Sequence, residues 1–189
     1  MLGPVARVTG FARATFPERT VMVGPRRGQR ISVQVPTHVT GALEFESGAL
    51  VTVLMSWDIW ATHLPYIEIY GREGSLAVAN PDLFDGVPEV RRVGEEELRQ
   101  PPPTPGAVPW TPFPLTHDGN VGRGIGVAEL AHSIEAGRPH RASAELACHV
   151  LEVLRALERS TGDTGQVEIA TRCERPSPLP IAWRYEQPR

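Results

Sequence analysis

The chain has 189 residues, of which 41% are apolar and 22% charged, and its 19 basic and 22 acidic side chains leave a net charge of −3. This is enough apolar material for a folded core, and the charge balance gives no electrostatic footprint for nucleic acid or an acidic membrane. No apolar run approaches the roughly 20 residues of a membrane span, and the N-terminus lacks a secretory signal. These observations exclude nucleic-acid and membrane partners.

All 19 cationic side chains are arginine, because the sequence contains no lysine. The absence excludes a Schiff-base lysine, a Walker-type P-loop and a lysine general acid or base. Cys148 and Cys173 are the only cysteines, too few for a disulfide framework or a zinc site. Cys148 lies in an apolar helical pattern and is expected in the core. The low cysteine content favours a cytoplasmic location.

The first strand is predicted over residues 5–16, where side chains alternate between two faces. Small residues on one face indicate that a helix packs closely against it. Residues 18–37 are a turn-rich excursion that ends in renewed alternation at Ile31, Val33 and Val35.

Two hairpins follow in the sequence. The first joins residues 38–46 to residues 50–57 through Ser47-Gly48, and the second joins residues 66–70 to residues 76–78. Successive hairpins favour an antiparallel sheet, because parallel strands need long crossovers.

The C-terminal half begins with a proline-rich loop at residues 100–116, which is neither a central strand nor a helix. Two helices are predicted after it. The first carries an apolar stripe and stops at Gly137; its members are Val127, Leu130, Ala131 and Ile134. The second starts at an N-cap, Ser143, and runs to about Ser160 with a stripe formed by Leu146, Val150, Val153, Leu154 and Leu157. Residues 166–170 are a candidate edge strand.

Together these elements predict an α+β fold, an open and mostly antiparallel sheet with helices packed on one face. We expect one domain over residues 1–180 and a tail at residues 181–189. A sheet covered by two helices leaves one face open, and an open apolar face marks a partner surface.

The run Gly122-Arg123-Gly124-Ile125-Gly126 is similar to a dinucleotide-binding loop but fails its pattern. The fingerprint needs a further glycine at position 127, which is valine, and it must follow a strand. A flexible helix entry explains the run, and the alternative is an anion or hydroxylated ligand held by Arg123 and the helix N-terminus.

Two further clusters carry polar chemistry. His117 and Asp118 precede the glycine-rich run with Asn120 nearby, and they are either a general-base pair or solvated loop residues. A second cluster follows residue 56 and contains Trp57, Asp58, Trp60 and His63. Tryptophans at a strand end form the floor of a sugar site, fill an interface or pack at a rim. The six histidines lack metal-binding spacing.

Two blocks of sequence resemble a known family. The pattern Gly41-x-Leu43-x-Phe45-x-x-Gly48 and the block 67–76, IEIYGREGSL, are similar to the C-terminal domain of the Gfo/Idh/MocA family of glucose–fructose oxidoreductases and inositol dehydrogenases. The stretches 123–127 and 137–139 also resemble its helix pair. The resemblance covers about residues 2–180.

The resemblance implies an open antiparallel sheet whose exposed face forms the oligomer interface. Complete members place a Rossmann domain in front and are mostly NAD(P)-dependent oxidoreductases of sugars, inositols and related polyols. Their dinucleotide fingerprint, catalytic Glu-Lys-Pro lysine and Asp-x-x-x-His pair belong upstream of residue 1, so the resemblance assigns no catalytic, cofactor or metal residue here. Residues 1–4 are expected to be the end of a helix that leads into the first strand.

The first hypothesis is therefore the substrate-binding and oligomerisation half of an NAD(P)-dependent sugar or polyol oxidoreductase, inactive alone and without its own cofactor. Residue type and loop position make Trp57, His117, Asn120 and Arg123 the candidate substrate contacts. The alternative is a standalone, non-catalytic module that dimerises through its sheet, binds carbohydrate or pairs with a separate Rossmann protein.

Overall fold

The computed structural model describes residues 2–84, 86–94, 109–114, 122–162 and 165–180. The predicted α+β class and antiparallel pairing are confirmed. The strands are β1 (Val5–Arg13), β2 (Glu18–Thr20), β3 (Arg30–Ser32), β4 (His38–Phe45), β5 (Leu50–Ser56), β6 (Ile67–Gly71), β7 (Gly74–Val78), β8 (Glu89–Arg92), β9 (Thr111–Pro112) and β10 (Val167–Glu168), and the helices are α1 (Ile125–Glu135) and α2 (Ala144–Arg159).

The fold contains two compact units. The first combines Met1–Ala61 with Ser133–Ser177, and the second combines Thr62–His132 with Pro178–Arg189. The single domain predicted over residues 1–180 stays a prediction. Most of the proline-rich loop at 100–116, the residues His117 and Asn120, and the tail 181–189 lie outside the described residues.

The largest sheet of the first unit has the strand order β10-β1-β4-β5, with every neighbouring pair antiparallel. The predicted alternation of β1 is present, although the strand ends at Arg13, before Pro17. The predicted edge strand is also present as β10, which pairs with β1.

Helix α2 packs on one face of this sheet through Val153 and Leu157 of its predicted stripe, whereas Val150 and Leu154 of that stripe are exposed. Gly10 and Gly41 face each other across β1 and β4, and a Cβ on Gly41 would lie 2.8 Å from Cδ2 of Leu157. The absence of side chains at these two positions therefore lets the helix approach the strands. The fully or nearly fully buried core that results consists of Val5, Val8, Val153, Ala156, Leu157 and Ile169.

Polar groups hold α2 at its N-terminus and at His149. Ser143 caps the N-terminus by accepting a hydrogen bond from the Leu146 amide at 3.2 Å. His149 is buried, and its Nε2 accepts a hydrogen bond from the Val5 amide at 3.0 Å. Its Nδ1 lies 3.1 Å from the carbonyl oxygen of Thr171. The imidazole thus links α2 to β1 and to the segment after β10.

The opposite face of the sheet is open. Phe11, Leu50 and Leu54 are exposed there, and Arg7 Nε donates to the Glu44 carboxylate at 2.5 Å. The register places Arg7, Glu44 and Leu50 in one row across β1, β4 and β5. This face therefore combines apolar side chains with a paired charge.

The remaining strands form separate ladders. β2 and β3 pair as a hairpin in the first unit, and β6-β7-β8-β9 form an antiparallel sheet in the second unit. Within the described residues the predicted open sheet is thus divided among three sheets. The break between the two predicted hairpins falls in the segment after Ser56, where no ladder connects β5 to β6.

Helix α1 differs from the pattern that predicts it. The helix forms where expected, but Val127 and Ile134 are 73% and 71% exposed, while Glu129 and Ser133 are buried. The prediction for Cys148 is wrong, because this thiol is exposed on α2. Neither helix of the described residues has the length and hydropathy that a membrane span requires.

Candidate functional site: an aromatic cleft after strand β5

A small cleft lies in the first unit where the chain leaves β5. Its volume is about 180 Å³. It is lined by residues from the segment after β1, from β2 and from the segment after β5, namely Phe16, Glu18, Arg19, Trp57, Asp58, Ile59 and Trp60. The predicted cluster of Trp57, Asp58 and Trp60 therefore forms the wall of a concave site, which His63 does not line.

The cleft is built on the carboxylate of Asp58, whose side chain is only 4% exposed. One oxygen accepts hydrogen bonds from Thr37 Oγ1 at 2.8 Å and from the Thr15 amide at 3.2 Å. The other oxygen accepts from Arg19 Nη2. The Asp58 amide in turn donates to Ser56 Oγ at 3.0 Å. These bonds fix the segment after β5 to the residue before β4, to the chain that follows β1 and to β2.

The same contacts set the charge of Asp58. Burial by itself raises the pKa of this carboxyl group, but the hydrogen bonds from Thr37, Thr15 and Arg19 outweigh it and lower the pKa to about 2. Asp58 is therefore a permanent anion at neutral pH. Such a group serves as an anchor and is unsuited to general-base catalysis near pH 7.

Arg19 joins the polar base of the cleft to its aromatic wall. Its Nη2 donates both to Asp58 and to the Trp57 carbonyl oxygen at 2.8 Å, and its guanidinium carbon lies 5.7 Å from the centre of the Phe16 ring. This distance is within the range of a cation–π interaction. Nε of Arg19 is buried without an acceptor among the described residues. The guanidinium therefore holds the cleft together through Nη2 alone.

Two tryptophan side chains of the lining are exposed to solvent. Trp57 is 83% exposed and Trp60 is 94% exposed. Large aromatic side chains normally bury 150–250 Å² each, so this exposure leaves two broad apolar surfaces facing water beside a cleft. Such surfaces suit a ligand or partner that stacks on them.

Arg123, the other described candidate, lies in the second unit. Its Nη2 is 3.2 Å from each carboxylate oxygen of Asp82, and both side chains are largely exposed. The glycine run beside it supplies a helix entry, since the Ile125 amide donates to the Gly122 carbonyl at 3.0 Å at the start of α1. Because position 127 is valine, the run does not complete the dinucleotide fingerprint, and no described cluster fits a metal ion.

Sequence reasoning missed the residues that support the cleft. Thr15, Thr37 and Ser56 are ordinary strand-end residues, and Arg19 lies 39 positions from Asp58. The only signal for them was the placement of Asp58 between two tryptophans at the end of a predicted strand. Such a signal indicates an anchored turn, but it does not identify the residues that hydrogen-bond to the turn.

A second carboxylate that accepts several hydrogen bonds, that of Glu152, lies on the helix side of the same unit. The two oxygens of Glu152 accept hydrogen bonds from the Ala170 amide at 2.9 Å and the Thr171 amide at 2.8 Å, and Thr171 Oγ1 donates at 2.5 Å. The bond from the Thr171 side chain, followed by those from the two amides, lowers the pKa of Glu152 to about 2 against the opposing effect of burial. The cluster fastens α2 to the segment after β10.

The N-terminal part of the chain matches a known protein family. Residues 1–77 match the model for the GFO/IDH/MocA C-terminal domain. The predicted resemblance to this family is confirmed. The matched segment contains β1 to β5, β6 and most of β7, including the whole lining of the aromatic cleft. No curated protein matches the sequence.

Solved structures agree on the fold. An NAD binding oxidoreductase from Klebsiella pneumoniae is 19% identical with a TM-score of 0.65, over 89% of this chain and 46% of that chain. An oxidoreductase domain protein from Kribbella flavida is 21% identical with a TM-score of 0.62, over 88% and 44%.

A third structure, levoglucosan dehydrogenase in complex with NADH and levoglucosan, is 17% identical with a TM-score of 0.64, over 88% of this chain and 45% of that chain. At such identities the likeness shows the fold alone. This chain spans less than half the length of each of the three proteins.

Proposed function

We propose that this chain is the substrate-binding and oligomerisation part of an NAD(P)-dependent sugar or polyol oxidoreductase. The observation that carries the proposal is the match of residues 1–77 to the GFO/IDH/MocA C-terminal domain. The similar structures support it, because they are named as oxidoreductases and one holds NADH and levoglucosan. In this role the chain orients a hydroxylated substrate, and a nicotinamide-binding domain accepts the hydride.

The cofactor and the catalytic lysine then come from another domain. The sequence has no lysine, and its glycine run does not fit a dinucleotide. We expect the isolated chain to bind no NAD(P) and to oxidise no sugar. Isothermal titration with NAD⁺, NADH, NADP⁺ and NADPH tests this, and micromolar binding of any of them would contradict it.

The mass of the native protein in its source cells tests the proposed arrangement. A species near twice 20.7 kDa, or a complex with a second, nicotinamide-binding polypeptide, is expected. Native protein found only at 20.7 kDa and without such a polypeptide would overturn the proposal.

Exposed apolar faces on both helices support a covering domain. Val127, Leu130 and Ile134 are exposed on α1, and Leu151 and Leu154 are exposed on α2. Apolar faces of this kind are typical of surfaces that another domain buries. Each helix is expected to gain protection from hydrogen exchange when the nicotinamide-binding domain is present.

The open sheet face is the proposed oligomer interface. Phe11, Leu50 and Leu54 present apolar area there, and the Arg7–Glu44 pair brings two charges that are already neutralised. We expect a homo-oligomer in light scattering, and Leu50→Arg should convert it to monomers without unfolding the chain. Met22→Arg is a matched control, because Met22 is similarly exposed but lies in the loop between β2 and β3. A wild-type monomer would contradict this assignment.

The proposed substrate contacts are Trp57, His117, Asn120 and Arg123. Trp57 is supported by its place beside the aromatic cleft. Arg123 is supported by its exposure, although a substrate would have to compete with Asp82 for its guanidinium. Alanine substitutions in the complete enzyme should raise KM more than they lower kcat, because these groups bind substrate and do not transfer the proton or hydride.

The second candidate function is a standalone carbohydrate-binding or dimerisation module, which the two exposed tryptophans beside the cleft favour. It predicts a sugar-dependent rise in the Tm of the isolated chain and a native mass of 20.7 kDa per subunit. The absence of a nicotinamide-binding partner in the source cells separates it from the first candidate.

A further inference from the structure

We propose that the aromatic cleft is a docking site for an uncharged proline-rich segment, and that its occupant is residues 101–105 of a second copy of this chain. This goes beyond the proposed function, because it gives the cleft a protein ligand. Trp57 is also a proposed substrate contact, so the segment and the substrate would compete for its indole.

The apolar part of the cleft is shallow and mostly aromatic. Trp57 and Trp60 are the most exposed side chains of the lining, and Phe16 and Ile59 are also exposed. The volume of about 180 Å³ is below the ~300–1,000 Å³ of sites that bury a drug-sized molecule. Shallow, aromatic-lined grooves are instead typical of domains that bind proline-rich peptides.

Proline suits such a surface for a chemical reason. Its ring is apolar and it has no backbone N–H, so packing it on an indole leaves no donor without a partner. In the polyproline II conformation the backbone makes no internal hydrogen bonds, and its carbonyl oxygens stay available. The indole N–H groups of Trp57 and Trp60 are donors of the kind that these oxygens accept.

The charges of the cleft favour an uncharged ligand. Arg19 is the one cationic residue of the lining, and it forms an ion pair with Asp58. Glu18 forms an ion pair with Arg30, which lies on the neighbouring strand β3. A charged ligand would have to compete with one of these pairs, whereas a proline-rich segment without charged side chains leaves both intact.

The cleft and a proline-rich ligand are both ordered before they meet. Asp58 accepts hydrogen bonds from Thr15, Thr37 and Arg19, and Arg19 also donates to the Trp57 carbonyl oxygen. On the ligand side, the proline ring fixes φ, which favours the extended conformation in solution. Preorganisation of both partners reduces the entropy lost on binding.

The chain itself contains a segment with this chemistry. Seven prolines lie between Pro101 and Pro114, and residues 101–105, Pro-Pro-Pro-Thr-Pro, are the densest part and have no charged side chain. Farther along, Thr111–Pro112 form β9 and pair with β8. Residues 101–105 lie outside the described residues and are assigned here by their sequence alone.

The choice of a second copy rests on the proposed homo-oligomer, in which every copy supplies one cleft and one proline-rich segment. A five-residue segment in a small cleft buries far less than the ~1,200 Å² of a stable interface. The contact is therefore weak, and it is not expected to hold Leu50→Arg copies together in light scattering. Between copies already joined through the sheet face, the local concentration of the segment is higher.

A peptide titration tests the ligand class. The capped peptide of residues 101–107 is added to the full 189-residue chain carrying Leu50→Arg, and nitrogen–proton NMR follows the indole N–H signals. We expect saturable shifts of the Trp57 and Trp60 signals. The control peptide has alanine in place of Pro102, Pro103 and Pro105, and it should bind at least about tenfold more weakly, a difference of about 1.4 kcal/mol.

Variants of the chain assign the site. Trp60→Ala should abolish the shift of Trp57 or weaken binding at least about tenfold, whereas Trp60→Phe should retain most of it. Trp60 is almost fully exposed, so its loss leaves the fold intact. Tyr70→Ala is the matched control, because Tyr70 is an exposed aromatic residue outside the cleft lining and its replacement should leave the binding unchanged.

A dilution series of the Leu50→Arg chain without peptide tests the occupant. We expect the Trp57 and Trp60 signals to move on dilution toward their positions in a chain that also carries Pro102→Ser and Pro103→Ser. In that second chain the signals should not depend on concentration. Signals that differ between the two chains at every concentration, without moving on dilution, would show a contact within one chain and overturn the assignment to a second copy.

Three further outcomes also overturn the inference. They are a peptide that shifts neither signal, an alanine control that binds as well as the proline peptide, and binding that survives Trp60→Ala. A peptide that binds while Pro102→Ser and Pro103→Ser change nothing in the dilution series would point to another protein and overturn the named occupant. Failure of the proposed function would instead appear in the native mass and in the nicotinamide titrations, so the two failures are distinguishable.

Discussion

The two helices of this chain have similar apolar patterns but differ in which side chains they bury. Helix α2 buries Val153, Ala156 and Leu157 against the sheet. Helix α1 buries Glu129 and Ser133 and exposes Val127 and Ile134. The difference teaches that helical periodicity predicts a helix and an apolar face, whereas burial of that face depends on whether a complementary surface is present in the same chain. Four predictions test this contrast.

The largest effect is expected at the contact between α2 and the sheet. Leu157 is 1% exposed and is packed beside Gly10 and Gly41. Leu157→Ala should lower the free energy of unfolding by about 2–5 kcal/mol, because it removes buried surface and leaves a cavity. Leu151→Ala on the exposed side of the same helix should cost no more than about 0.5 kcal/mol. Urea denaturation measures both, and equal costs would contradict the packing described.

The close approach of the helix is tested at the two facing glycines. A Cβ on Gly10 would lie 2.6 Å from the Thr40 carbonyl oxygen, and one on Gly41 would press on Leu157. Gly41→Ala should therefore destabilise the protein by about 1–3 kcal/mol. Gly126→Ala in α1 is the control, since nothing lies within 4 Å of its added Cβ. That variant should be neutral or stabilising by up to about 1 kcal/mol.

The polar fastening of α2 should give the protein a pH-dependent stability. The pKa of Glu152 falls from 4.5 to about 2 in the folded state. Because the folded pKa lies below the unfolded one, its contribution is fully present above about pH 4.5 and is lost as the pH falls toward 2. Asp58, whose pKa falls from 3.8 to about 2, contributes in an overlapping range.

Glu152→Gln tests this contribution. We expect it to cost about 1–2 kcal/mol at pH 7, because neutral hydrogen bonds replace charged ones, and to flatten the pH dependence of stability between pH 4.5 and 2 without abolishing it. Glu158→Gln removes a carboxylate of the same helix that forms an ion pair with Arg155 near the surface. That control should cost at most about 1 kcal/mol. Thermal melts across this range would show an unchanged slope for Glu152→Gln if the fastening is absent.

The smallest effect is expected on the exposed face of α1. Ile134→Gln should change the stability of the isolated chain by no more than about 0.5 kcal/mol, because the side chain is 71% exposed. If a nicotinamide-binding domain covers this face in the native enzyme, the same variant should weaken that association. A large loss of stability in the isolated chain would show that the apolar stripe is buried after all, and the contrast between the helices would fail.

Much of the fold was predictable from local pattern. Alternation located β1, β4 and β5, the turn at Gly48 located their hairpin, and Ser143 located the start of α2. These signals work because the side-chain period and the special backbone demands of turns and caps are properties of a few adjacent residues. The block at residues 67–76 also made the family resemblance visible, and the match over residues 1–77 confirms it.

The candidate site was less accessible to such reasoning. Trp57, Asp58 and Trp60 could be named as a cluster, but the hydrogen bonds that make them a cleft come from Thr15, Arg19 and Thr37. These partners are distant in sequence and have no pattern of their own. The proposed contacts His117 and Asn120 lie outside the described residues, so they stay predictions.

By itself the sequence determined the α+β class, the antiparallel hairpins, the two helices and the exclusion of lysine chemistry, because these follow from composition and short-range periodicity. Only the tertiary structure decided which helix face is buried, which thiol is exposed, and that an arginine on β2 anchors the turn after β5. The physical reason is that burial and long-range hydrogen bonds depend on surfaces brought together by the whole chain, and a local pattern records only one side of each contact.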